Sequence, residues 1–235
     1  MGEMESLIEL KDISVSFPGR GRVLDRLNFR LFPGERVGIV GANGSGKSTL
    51  LHIIMGLLKP DSGIIRIFGR ERREEKDFED IRGKIGLLFQ DSDNQLFSPT
   101  VEEDIAFGPL NQRKSRGEVV RIVEDMLNIF GLSELRHRFS HTLSFGEKKL
   151  VALATVLAME PEILLLDEPT TALDKETSLR VIEFLNNSPS FTLCVVSHDY
   201  EFLRKVTRKI YSLEKGKLYP VEQTGFEPAT STVRR

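Results

Sequence analysis

Residues 36–58 constrain this chain more tightly than any other stretch. RVGIV, 36–40, is short, β-branched and almost continuously apolar, the pattern of a strand buried in a parallel sheet. GANGSGKST, 41–49, follows at once, and TLLHIIMGLL then carries apolar residues at helical spacing up to Lys59-Pro60. A glycine-rich turn between a buried strand and a helix start satisfies G-x-x-x-x-G-K-[ST] in the context that gives the pattern its meaning. Gly41, Gly44 and Gly46, with Asn43 and Ser45 between them, let backbone N–H groups close around phosphate oxygens, and the helix adds its positive end. Lys47 is expected to neutralise β- and γ-phosphates, Ser48 to ligate Mg²⁺, and Thr49 to lie near the α-phosphate. A glycine-rich turn with an incidental lysine is the alternative, and the flanking patterns argue against it.

The rest of the chain supplies a sheet for that strand. LIELKDISVSF (7–17) alternates in part, Pro18-Gly19-Arg20-Gly21 marks a turn, and LNFRLF (27–32) repeats the pattern. GIIRIFG follows the turn Asp61-Ser62-Gly63, and KIGLLFQ (84–90) is a second buried-strand candidate. Between them, residues 70–84 are densely charged and read as an exposed connection or helix. From Asp91 to Glu160 helical spacing dominates, notably in EVVRIVEDMLNIFGL, and predicts an inserted helical subdomain. Strand character returns in EILLLDE, TLCVVSHD and KIYSLEKGKL. Strands alternating with helices predict an α/β fold with a mainly parallel sheet covered on both sides. From Leu218 onward two prolines and several small polar residues predict a largely unordered tail.

Further residues converge on the same chemistry. Ile163–Leu166 precede Asp167 and Glu168, so a buried strand would deliver two carboxylates to the sheet edge beside the phosphate loop. Asp167 would hold Mg²⁺ through its water shell and Glu168 would polarise the attacking water; an ordinary acidic turn is the alternative. His198 follows a third strand and either reaches the γ-phosphate and that water or simply starts a helix. Gln90, ending GLLFQ, is either a surface glutamine or a sensor touching Mg²⁺ and water. LSFGEKKL, 143–150, suggests a second anion-binding helix start that the chain cannot easily turn on its own nucleotide. That points to an ATPase working as a dimer.

Composition excludes some partners. At 235 residues the chain suits one α/β domain, or a core with an inserted subdomain. A net charge of −2 gives no electrostatic reason to expect nucleic acid, and the basic residues of 70–73 are followed at once by Glu74, Glu75 and Asp77. The single cysteine, Cys194, sits in the apolar run TLCVV and reads as a buried strand residue. No stretch approaches the roughly 18 to 20 apolar residues of a membrane span. The acidic start MGEMESLIEL lacks the features of a signal peptide. The chain is expected to be cytoplasmic, with any membrane role borrowed from a partner.

The order of phosphate loop, Gln90, LSFGE, ILLLDEPT, TALD and His198 closely resembles ABC-type ATPases over about residues 5–220. The resemblance implies a P-loop NTPase core with a mainly parallel sheet, an N-terminal antiparallel β subdomain and the inserted helical subdomain. It places one ATPase domain at 1–220, with the core at 1–90 and 160–220, the helical subdomain at 91–159, and a poorly ordered tail at 221–235. It also implies a head-to-tail dimer with two ATP molecules, each held by one chain's phosphate loop and the other's Ser144 and Gly146. Glu168 would be the general base, Gln90 the lid residue, and His198 the switch histidine. TALD would cross the dimer interface at Asp174. Phe17 matches the aromatic position that stacks on adenine, and reads equally well as an inward strand residue.

FQDSDNQLFSPTVEEDIAFGPLN, 89–111, looks like the corresponding segment in ATPases of energy-coupling-factor importers, which carry cobalt, nickel or vitamins. It is expected to form a groove for a helix of a membrane subunit, with Phe97, Pro99, Val101 and Phe107 as walls and Glu102, Glu103 and Asp104 around them. The competing reading is a plain helical core. The usual signature is LSGGQ; here Phe145 and Glu147 replace a glycine and the glutamine, while Ser144 and Gly146 are retained. Glu147 adds negative charge near phosphates unless Lys148 or Lys149 offsets it. A soluble ABC ATPase of translation or DNA maintenance is the alternative function. That class carries two modules or a long coiled-coil insertion, and neither is seen.

Overall fold

The computed structural model describes residues 5–188 and 191–222. Along the chain run β1 (Ile8–Phe17), β2 (Gly21–Leu31), β3 (Arg36–Val40), α1 (Lys47–Ile54), β4 (Ser62–Ile67), β5 (Arg70–Arg72) and β6 (Ile85–Leu88). Then come α2 (Val101–Asn111), α3 (Arg116–Phe130), α4 (Phe145–Ala158), β7 (Ile163–Asp167), α5 (Lys175–Asn187), β8 (Thr192–Ser197), α6 (Tyr200–Val206), β9 (Lys209–Glu214) and β10 (Lys217–Val221).

Two sheets result. One is antiparallel, in the order β2-β1-β4-β5; the other has six strands in the order β10-β9-β3-β8-β7-β6. Every pairing in the second is parallel except β10 on β9. Its central strands are apolar on both faces because both are covered. Val37, Ile39, Leu165, Cys194 and Val196 pack with α1 and the antiparallel sheet, while Leu164, Leu166, Leu193 and Val195 pack with the helical segment. Burial pushes the Cys194 thiol up to about 12, as suits a strand residue without redox chemistry.

The helical segment shares the sheet's core. α3 buries Val119, Val123, Leu127 and Phe130, begins with a Ser115–Glu118 capping box and ends at Gly131 with φ 66°. Those side chains join Val101 and Ile105 of α2, much of α4, and Leu166 and Val195 of the sheet in one cluster. α4 lies so close to β6 that a Cβ on Gly86 would fall 2.4 Å from Val156 Cγ1 and 3.1 Å from Pro161 Cγ.

Several sequence expectations need adjusting. KIYSLEKGKL is a hairpin rather than one strand, because Lys215 (φ 49°) and Gly216 (φ 76°) form the two-residue turn that joins β9 to β10. Leu218–Val221 therefore belong to an edge strand and not to a tail; residues 223–235 of the expected tail lie outside the described residues. The charged stretch 70–84 divides into β5 and a 3-10 turn, Glu75–Ile81, whose Phe78 and Ile81 are buried. The helical pattern after the phosphate loop stops at Ile54, since Gly56 turns to φ 70° against the Phe78 ring. Among the described residues no helix is long and apolar enough to cross a membrane.

Candidate active site

β3 lies between β8 and β9, and its carboxyl end releases the loop 41–46 at the middle of the sheet edge. Gly46 caps α1 with φ 108°, a value that side chains rarely allow, and a Cβ there would meet Val23 Cγ1 at 2.9 Å. No side chain caps α1 and its first turn holds no acidic residue, so its N-terminal amides remain available to an anion. The buried Lys47 Nζ donates to the carbonyls of Gly41 (2.7 Å) and Ala42 (3.3 Å) and lies 3.6 Å from Glu168 Oε1. Ser45 donates its N–H to the Ala42 carbonyl, and its hydroxyl is buried without a partner among the described residues.

β7 runs between β6 and β8 and brings the acidic pair to this edge. Asp167 Oδ1 is buried and has no hydrogen-bond partner among the described residues. Burial pushes the Asp167 carboxyl above its ordinary range, and a hydrogen bond with Ser48 works in the other direction. An orphaned carboxylate oxygen beside a serine hydroxyl fits a divalent cation. Among the described residues no group of three His, Cys, Asp or Glu stands together to hold a metal.

Glu168 adopts φ 48° and is buried. Its Oε1 accepts from the His198 N–H at 3.0 Å; its Oε2 accepts from Ser197 Oγ at 2.9 Å and lies 2.9 Å from His198 Nδ1. The neighbouring ends of β7 and β8 thus join two residues far apart in sequence.

A cleft of about 220 Å³ gathers Asn43, Gly44, Gly46, Lys47, Ser48, Thr49, Gln90, Asp167 and Glu168. Arg20 also lines it, donating to the Gly44 carbonyl at 2.6 Å. Its sequence signal was only a turn, because nothing local shows that the β1–β2 hairpin folds over the phosphate loop. Phe17, at the end of β1, packs partly against the core behind α1 and does not line the cleft.

Ser144 and Gly146 do not line it either. Ser144 caps α4: its N–H donates to Glu147 Oε2 at 2.7 Å and its Oγ accepts from the Glu147 N–H at 3.3 Å. The Ser144 backbone bond, more than any other contact, holds the Glu147 carboxyl below its ordinary value. Neither adjacent lysine pairs with Glu147: Lys148 pairs with Asp93, and Lys149 donates to the carbonyls of Phe89 and Gln90. Phe145 is half exposed at the helix start. Asp174 caps α5, accepting from the Thr177 N–H at 2.9 Å.

A groove of about 260 Å³ borders the cleft's Gln90 segment. Phe97 and Phe107 wall it edge to face, with centroids 4.5 Å apart, and Met55, Leu57, Leu87, Phe89 and Met159 are among the other apolar lining residues. Two expected wall residues fall elsewhere: Val101 is fully buried in the core, and Pro99 lines a neighbouring polar depression. The acidic residues have structural work. Glu102 pairs with Arg136, Glu103 completes the cap on Thr100, and the buried Asp104 accepts from the N–H groups of Phe97 and Ser98 and from Ser140 Oγ.

The ABC transporter family profile matches residues 24–171. The chain belongs to the ABC transporter ATP-binding family. As a member it is an ATPase. It is similar to EcfA, an energy-coupling factor transporter ATP-binding protein of Methanothermobacter thermautotrophicus, at 44% identity over 90% of this chain and 69% of that one. Among solved structures it is similar to cbiO1 of Clostridium perfringens, part of the ABC transporter complex cbiONQ. That match has a TM-score of 0.79 at 32% identity and covers 92% of this chain and 87% of the other. An ATP-binding cassette solved as a dimer in a post-hydrolysis state with ADP and Pi matches with a TM-score of 0.85 at 29% identity, over 93% of this chain and all of that one. The mixed α/β architecture expected from the sequence is the one these ABC ATPases share.

Proposed function

We propose that this ABC ATPase is the motor of a membrane importer, in which two ATPase subunits close on ATP and move a docked membrane subunit. One observation carries the reading: the segment 89–97 borders both sites. Gln90 lines the nucleotide cleft, while Phe89, Gln95 and Phe97 line the apolar groove. Gln95 ties the two, accepting from the Phe89 N–H at 3.1 Å and donating to the Leu87 carbonyl at 3.1 Å. A change at the γ-phosphate has only one short segment to cross before it reaches a docked helix.

In this scheme loop amides and Lys47 bind the β- and γ-phosphates, Thr49 lies near the α-phosphate, and adenine extends beyond this cleft to stack on the half-buried Phe17. Ser48, Asp167 and Gln90 would hold Mg²⁺, which when bound neutralises phosphate charge. Glu168 takes the proton of the attacking water, oriented by Ser197 and His198, and His198 also reaches the γ-phosphate. Ser144 and Gly146 of the partner subunit complete the site, which explains why these residues stand outside the chain's own cleft. The partner is a second copy or a homologous ATPase; the cassette neighbour solved as a dimer supports this. The cargo is a cobalt or nickel ion or a vitamin, a reading supported by the similarity to EcfA and to the cbiONQ component. The subunit would lie on the cytoplasmic face of the cell membrane, held by its partners, with no nucleic acid involved.

Replacing both groove aromatics (Phe97→Glu with Phe107→Glu) should abolish co-purification with membrane subunits co-expressed from adjacent genes. Uptake of labelled cobalt, nickel or vitamin should fall with it, while ATP binding persists. Retained membrane association and uptake in that variant would refute the docking reading.

A further inference from the structure

Lys149 is out of keeping with its helix. It stands beside Leu150, Val151 and Leu153 in the apolar body of α4, and is 1% exposed. Its Nζ ends on two successive carbonyls, Phe89 at 3.1 Å and Gln90 beside it. Burial lowers its pKa, with Asp167, Asp91 and Glu168 acting against that shift. Burying a cation on neutral acceptors costs stability that a methionine of similar length would not.

The acceptors suggest what the charge does. Parallel pairing of β6 with β7 ends at Leu88, so the carbonyls of Phe89 and Gln90 lie past the ladder. Lys149 gives both a donor at the point where Gln90 must be aimed into the cleft. Lys148 of the same helix pairs with Asp93, a second tie to the same segment. The helix that begins at Ser144 is therefore fastened to the loop that carries Gln90.

We propose that Lys149 is a positioning residue for Gln90: it fixes the backbone of that loop against α4, so that the glutamine side chain is presented to the nucleotide cleft. The proposal rests on the reading of Gln90 as a cation and water ligand.

The test uses the full chain as wild type, Gln90→Ala, Lys149→Met and the double variant. Each single variant should lower kcat about ten-fold and raise the half-saturating Mg²⁺ concentration several-fold, with KM for ATP changing less than about two-fold. The double variant should be no worse than Gln90→Ala, because both act through one group. Lys149→Arg should recover most of the activity. In the nucleotide-free chain, amide exchange of residues 89–93 should quicken in Lys149→Met, while the melting temperature stays level or rises. Wild-type kcat and exchange in Lys149→Met, or losses that multiply in the double variant, would overturn the proposal. Full activity in Gln90→Ala would instead remove Gln90 from the mechanism, a distinct failure that takes the proposal with it. Should Lys149→Met not fold, Lys149→Gln decides. Its shorter amide cannot serve both carbonyls, so an unchanged kcat would count against the role.

Discussion

Glu168 holds a backbone conformation, φ 48°, that a residue with a side chain reaches only at a cost of about 1–3 kcal/mol. The surrounding donors of Ser197 and His198, with Lys47 nearby, keep it there. Glutamine is isosteric and can still accept from the His198 N–H, so Glu168→Gln should fold and bind ATP. If Glu168 is the general base proposed above, hydrolysis should slow about a hundredfold or more, measured as phosphate release beside nucleotide binding. Near-wild-type turnover would remove Glu168 from the chemistry. At this scale the meeting of Lys47, Ser48, Asp167 and Glu168 at one sheet edge could be read from the chain, because each occupies a fixed place in a local motif. Arg20 and Lys149 could not. A single cation in a turn, or one of two adjacent lysines in a helix, carries no mark of the distant carbonyl it will reach.

The strand β6 and the helix α4 meet without side-chain space at Gly86. Gly86→Ala would push Val156 away from the strand that leads into Phe89 and Gln90, so urea unfolding should show a loss of about 1–3 kcal/mol. An unchanged midpoint would mean that the contact relaxes freely. Apolar runs and helical spacing placed β3, β6, β7, β8 and α3, since burial on one or both faces leaves a period in the sequence. They missed the break between β9 and β10, where two residues with positive φ turn the chain inside one apparent run. They also extended α1 too far, because periodicity does not register the turn at Gly56.

For the whole molecule the question is how many chains make one site. If each site joins the phosphate loop of one chain to the Ser144 helix of another, Lys47→Ala and Ser144→Arg chains should be inactive apart and active together. An equal mixture gives half mixed dimers with one intact site each, so roughly a quarter of wild-type ATPase should return. A mixture that stays inactive while both variants fold and dimerise would sink the shared site.

By itself the sequence determined the strand and loop at 36–46, the start of the helix after them and the acidic strand end, because backbone conformations special to glycine and runs of buried residues are encoded locally; the order of its motifs carried the resemblance to the family. Only the tertiary structure decided which partners meet. Glu168 finds His198 thirty positions away because β7 pairs with β8, and Lys149 reaches a carbonyl sixty positions back because α4 packs on β6. Such contacts follow from packing through space, and neither a period of two nor one of 3.6 records them.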